Sequence, residues 1–100
     1  MVLIRLRKFA IKIHGRWCGP GVSGPGEPID AVDAECKDHD LCYQLKGWGN
    51  AECDAELVRD LRDGLRRKAF PFRLRFIAWI IATFFAAKPS VKKLLVDRNA

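Results

Sequence analysis

The stretch Pro28-Ile29-Asp30-Ala31-Val32-Asp33-Ala34-Glu35-Cys36-Lys37-Asp38-His39-Asp40-Leu41-Cys42-Tyr43 decides how this chain folds. Asp30 stands where it can cap a helix, and Asp33 and Glu35 suit the positive end of that helix. The expected inward stripe is Ile29, Val32, Cys36, His39 and Tyr43, spaced at the helical period. A break follows at Gly47-Trp48-Gly49. Asn50 then caps a second helix running to about Lys68, with Leu57, Val58, Leu61 and Leu65 as its apolar stripe. Arg66, Arg67 and Lys68 suit its negative C-terminal end. A third helix is predicted from about Pro71 to Ala87, and Ser90 to Ala100 is given one further turn. Upstream, Gly15 to Pro28 holds five glycines and three prolines in fourteen residues, the composition of a loop. Before it, Val2, Leu6, Phe9 and Ile13 recur at helical spacing, with Arg5, Lys8 and Lys12 on another side. The fold class is therefore all-α, with no internal repeat.

One hundred residues allow a single domain, and one this short often needs disulfides, a metal or a partner as a staple. It divides into a basic amphipathic segment (1–14), a loop with two helices (15–68), and an apolar helix with a basic tail (69–100). With 49% hydrophobic and 30% charged residues, the composition is not that of a disordered chain. The net charge of +6 is unevenly spread. Residues 1–16 hold five basic groups and no acid, residues 17–58 carry a net −7, and residues 59–100 a net +8. An acidic middle between basic flanks points to a cation site in a protein that approaches something anionic. Nucleic acid is disfavoured, because no recognition motif accompanies the charge.

Four cysteines favour an oxidising destination, secreted or otherwise. No signal peptide is visible: Arg5, Arg7, Lys8 and Lys12 interrupt the apolar residues of the first segment. The longest largely apolar run, Phe76 to Ala87, is twelve residues, short of the ~20 that span a bilayer.

Two residues sit where a core pattern would not put them. Asp54 precedes Leu57 and Val58 by three and four residues, on the face the second helix buries, and His39 is in line with Cys36 and Tyr43 on the first. Cys36 and Cys42 are separated by about 9 Å along one helix axis, so they cannot pair with each other. Of the two remaining connectivities, Cys42–Cys53 is the short link, and it leaves Cys18–Cys36 to tie the loop to the helix. A buried His39–Asp54 pair follows from that choice. Asp40 points elsewhere, towards the glycine-rich loop. Backbone carbonyls with a carboxylate are the ligands calcium prefers. Such a site beside a His–Asp pair suits activation of water by the histidine.

The run Trp17-Cys18-Gly19-Pro20-Gly21, followed by Pro28 to Tyr43 and by Cys53-Asp54, resembles the secreted phospholipase A2 family, with its Cys-Gly-x-Gly calcium loop and Asp-x-x-Cys-x-x-His-Asp-x-Cys-Tyr helix. The resemblance covers residues 15 to 54 and implies a small disulfide-stapled fold whose two main helices run antiparallel. It implies that the carbonyls of Trp17, Gly19 and Gly21 and the carboxylate of Asp40 bind Ca2+. His39 would take a proton from water and Asp54 would orient it. The Gly19 amide would meet the oxyanion formed at the sn-2 ester, and Tyr43 would support Asp54.

Some features depart from the animal members. Glu35 replaces a second cysteine and Asp60 its partner; Gln44 to Ala51 is too short for a β-hairpin; the loop is longer between Gly21 and Pro28. The compact pattern looks closer to microbial forms, and the third helix has no counterpart.

A zinc site on the cysteines with His39 is disfavoured, since one straight helix cannot aim Cys36, His39 and Cys42, at positions i, i+3 and i+6, at one tetrahedral centre. His14 is expected as a loop or surface residue, and Trp48 closing the turn. The stripe Phe76, Trp79, Ile80 and Phe84 is expected in the core. The run is nonetheless apolar nearly all round, so an interfacial surface or a homodimer contact is the competing assignment. The expected function is calcium-dependent hydrolysis of the sn-2 ester of glycerophospholipids at an anionic membrane surface. The alternative is a catalytically silent, membrane-disrupting protein on the same scaffold.

Overall fold

The computed structural model describes residues 12–19 and 22–99. Most of the expected amphipathic first segment, and Gly21 of the expected calcium loop, lie outside these residues. Helix α1 spans Ala31–Lys46; the Asp30 side chain accepts from the Asp33 amide, and the Gly47 amide closes the other end on the Tyr43 carbonyl. Helix α2 spans Ala51–Arg66, with Asn50 accepting from the Cys53 amide. Helix α3 spans Phe72–Ala86 and begins directly after Pro71. The tail forms more than one turn: α4 runs over Pro89–Asn99, with its proline at the first helical position.

Helix α2 is the centre of the fold and packs against the other three. Its fully buried Leu61 and nearly buried Leu57 meet Val32 and Cys36 of α1 and Leu74, Ala78 and Ile81 of α3. Val58 and Ala55 meet Ala86 and Val91, where α4 turns back onto the core. Truncating a side chain as enclosed as Leu61 to alanine costs about 2–5 kcal/mol. Gly64 has a packing reason: a Cβ there would lie 2.5 Å from the Phe70 ring, which seals the base of the α2–α3 junction.

The cysteines pair as Cys18–Cys36 and Cys42–Cys53. No free thiol remains among the described residues, which fits an oxidising compartment. Partners fall in number along α1 as they rise along α2, with Cys42 on Cys53 and Cys36 in the same cluster as Leu57, so the two helices run antiparallel.

Two expectations are corrected. Ile29 is exposed rather than inward, because it precedes the extended residue Asp30 and the helical stripe has not yet begun. Helix α3 docks through Leu74, Ala78, Ile81, Ala82 and Ala86, a face whose small residues allow close approach to α2. Phe72, Phe76, Trp79, Ile80 and Phe84 consequently face outward, between 41% and 88% exposed. No single helix among the described residues is long and apolar enough to cross a membrane, and α3 and α4 meet at 98°.

Candidate active site

Positions 36, 39 and 43 share one face of α1, and the Cys42–Cys53 disulfide brings the first turn of α2 against it. His39 Nε2 lies 2.7 Å from Asp54 Oδ1, with the carboxylate fully buried and the imidazole 11% exposed. The Tyr43 hydroxyl donates to the same oxygen. A carboxylate only accepts, so Nε2 of a neutral His39 carries the proton and Nδ1 keeps its lone pair. The imidazole is held between the Tyr43 ring at 4.2 Å and the edge of Phe85 at 4.9 Å.

Sequence reasoning missed one partner. Lys88, at the corner between α3 and α4, donates its ammonium to Asp54 Oδ2 at 2.6 Å. Burial alone would raise the Asp54 carboxyl, but hydrogen bonds from Lys88, Tyr43 and His39, with the lysine charge, hold it below the usual carboxylate range. Burial, followed by the bond to Asp54, pushes the Tyr43 hydroxyl well above its ordinary value.

The glycine-rich loop is held from inside by a second buried carboxylate. Asp33 accepts from the backbone amides of Arg16 at 3.0 Å, Trp17 at 2.8 Å and Ile29 at 3.0 Å. Burial would raise its pKa, but these three N–H bonds and the neighbouring His14 lower it. A Cβ on Gly15, whose φ is +62°, would meet this carboxylate at 2.4 Å, so the loop can fold over Asp33 only with glycine there. His14, expected as a loop or surface residue, lies in the loop, 2.7 Å from Asp30, and ties the loop entry to the cap of α1. The signal for Asp33 lay in its place three residues before Cys36, on the buried face.

The expected ligand residues fall on the loop side. Asp40, adjacent to His39, accepts from Ser23 Oγ at 2.9 Å and from Gln44 at 3.0 Å, both on Oδ2. Its Oδ1 has no partner among the described residues. The Trp17 indole donates to the Gly26 carbonyl at 3.0 Å, fixing the loop's width. The Gly19 carbonyl accepts from the Val22 amide at 3.1 Å, which occupies one of its two lone pairs. This donor set is all oxygen, the hard-ligand chemistry that suits calcium rather than zinc. Trp48 is 85% exposed, its ring 5.7 Å from that of Tyr43.

Comparison with known proteins finds sequence similarity over part of the chain. The chain is 48% identical over 48 residues to phospholipase A2-beta of Arabidopsis thaliana, covering 46% of this chain and 33% of that protein. Over the stretch that carries His39 and Asp54, the chain is similar to phospholipases A2. Probable phospholipase A2 homolog 1 of Oryza sativa subsp. japonica is 39% identical over 51 residues, 49% of this chain and 37% of the relative. Phospholipase A2 A2-actitoxin-Cgg2a of Condylactis gigantea is 57% identical over 30 residues, 30% of this chain and 24% of the relative. The match thus spans a quarter to about a third of the length of the plant phospholipases A2 found. No family model matches the chain, and no solved structure does.

Between α1 and α2, Glu35, Asp38, Glu56 and Asp60 cluster. Glu35 is pushed up to about 7, by burial first and then by the charges of Asp60, Asp38 and Glu56.

Proposed function

We propose that this protein hydrolyses the sn-2 acyl ester of glycerophospholipids at a membrane surface, releasing a fatty acid and a lysophospholipid. The observation that carries the proposal is the His39–Asp54 pair at 2.7 Å, with Asp40 the next residue along and turned to the loop. In this mechanism Nδ1 of His39 takes a proton from water as the water oxygen attacks the ester carbonyl. Asp54 holds the ring by Nε2–H and stabilises the imidazolium that forms. The Gly19 amide donates to the developing oxyanion. The imidazolium then returns its proton to the departing alkoxide as the tetrahedral centre collapses, so proton and charge both balance.

Calcium fits the described donors: the Asp40 carboxylate and the carbonyls of Trp17 and Gly19 would hold it, with the Gly21 carbonyl added by the resemblance alone. When bound it would supply positive charge that stabilises the oxyanion.

The outward face of α3 supports a membrane partner. Phe72, Phe76, Trp79, Ile80 and Phe84 lie in a stretch, residues 64–96, that holds eight basic residues and no acid. This charge favours an anionic bilayer, and Phe84 packs on Phe85, which borders His39. A second copy meeting this face is the competing assignment. The test uses glycerophospholipid vesicles labelled at sn-1 or sn-2, with leakage recorded in parallel. Release of the sn-2 label alone supports the proposal. Leakage with neither acid released would favour the membrane-disrupting scaffold.

A further inference from the structure

Lys88 lies outside the segment that carries the phospholipase resemblance, yet it touches the centre of the site. Its backbone is fixed: its amide donates to the Phe85 carbonyl, and its own carbonyl accepts from the amides of Val91 and Lys92. Val91 is fully buried against Ala55 and Val58 of α2, so the corner is clamped to the helix that carries Asp54. From there the lysine reaches past Phe85, its ammonium 5.6 Å from that ring, to Asp54 Oδ2. The lysine side chain is 38% exposed as a whole, and its ammonium meets a fully buried carboxylate.

The two oxygens of Asp54 are therefore held from different sides, Oδ1 by His39 and Tyr43 and Oδ2 by Lys88. A carboxylate held on Oδ1 alone has a broad, two-fold torsion and can exchange its oxygens. With Oδ2 tied to a clamped corner, the carboxylate plane is fixed, and the direction of the Nε2–H bond is fixed with it. The ammonium also supplies the positive charge without which burying this carboxylate would be costly.

We propose that Lys88 is a positioning residue for hydrolysis. It acts through Asp54 to hold His39 Nδ1 at the angle required by the attacking water, and so recruits the α3–α4 corner into the active site. The proposal rests on the esterase function above.

The test compares wild type, Lys88→Met, Lys88→Gln and Lys88→Arg on a short-chain phospholipid below its aggregation threshold, at saturating calcium. The monomeric substrate removes any effect of lysine on vesicle binding. Loss of fixed geometry predicts a kcat lowered ~10- to 100-fold in Lys88→Met with KM within ~2-fold, and substantial recovery in Lys88→Arg. A double-mutant cycle with Asp54→Asn supplies the readout that a merely structural lysine would not move. Replacing Lys88 in the Asp54→Asn background should cost almost nothing further. If Lys88→Met is folded and keeps wild-type kcat, or loses the same factor in both backgrounds, the proposal is overturned. Should Lys88→Met fail to fold, Lys88→Gln and Lys88→Arg decide it: equal losses in both, with charge making no difference, would also overturn it. Wild type without any hydrolysis would instead overturn the esterase function, and the role of Lys88 with it.

Discussion

Replacing Asp33 should unfasten the loop, and the size of the effect follows from three hydrogen bonds. The carboxylate accepts from Arg16 and Ile29 on Oδ2 and from Trp17 on Oδ1. A hydrogen bond to a charged group contributes about 1.5–3 kcal/mol net. In Asp33→Asn, the amide oxygen can keep the two bonds made by Oδ2, but its NH2 then faces the Trp17 amide, donor against donor. One bond is lost and one part-buried N–H is stranded, a cost of about 3 kcal/mol. Asp33→Ala loses all three bonds and leaves a void, about 5 kcal/mol, a large fraction of the 5–15 kcal/mol typical of a domain. The assay is urea unfolding at pH 7 with both disulfides oxidised, followed by far-UV circular dichroism. Midpoints should fall in the order wild type, Asp33→Asn, Asp33→Ala, with similar slopes. Both variants within about 0.5 kcal/mol of wild type, no more than an ordinary surface substitution, would refute the role of Asp33 as the loop's anchor.

Other outcomes follow from the same geometry. Tyr43→Phe removes one of the two donors on Asp54 Oδ1 and should lower kcat by ~3- to 10-fold without unfolding the protein, measured on monomeric substrate. Phe76→Asp and Trp79→Asp lie on an exposed face. They should leave the thermal midpoint unchanged but weaken co-sedimentation with anionic vesicles, and added salt should weaken wild-type binding as well. The pH dependence of stability has two opposite signs. Asp33 and Asp54 have folded-state pKa values below the ordinary one, so their contribution is present above about pH 4 and is lost as the pH falls through the depressed values. Glu35 is raised from 4.5 to about 7, so it opposes folding increasingly across that interval. Glu35→Gln should therefore stabilise the protein by about 1 kcal/mol at pH 8, allowing for solvent screening, and have little effect at pH 4; urea midpoints at the two values check this.

The parts of this molecule that were legible in the sequence are those set by local spacing. Asp30 and Asn50 cap where their types and positions imply, and the period of 36, 39 and 43 brings a disulfide and a histidine to one face. Length alone favoured the Cys42–Cys53 link, and that link aligns Asp54 with His39. The rest depended on angles that no spacing encodes. Lys88 reaches a residue 34 positions away because α4 turns 98° from α3, and its sequence context shows only a basic residue before a proline. Asp33 passed for an acid favouring a helix N-terminus because its three partners are backbone amides, which carry no sequence signature. In α3 both faces are apolar, and hydrophobicity alone favoured burying the aromatic one. Packing instead chose Ala78, Ala82 and Ala86, because small side chains let the helix approach α2 closely.

The most direct test of the central claim is fatty-acid release from sn-2-labelled anionic vesicles, with calcium or with chelator, by wild type and by His39→Gln. Wild type should release fatty acid only with calcium, and His39→Gln should lose about 10³-fold, the scale of a lost general base. Release that survives the chelator, or a folded His39→Gln variant that remains active, would contradict the account.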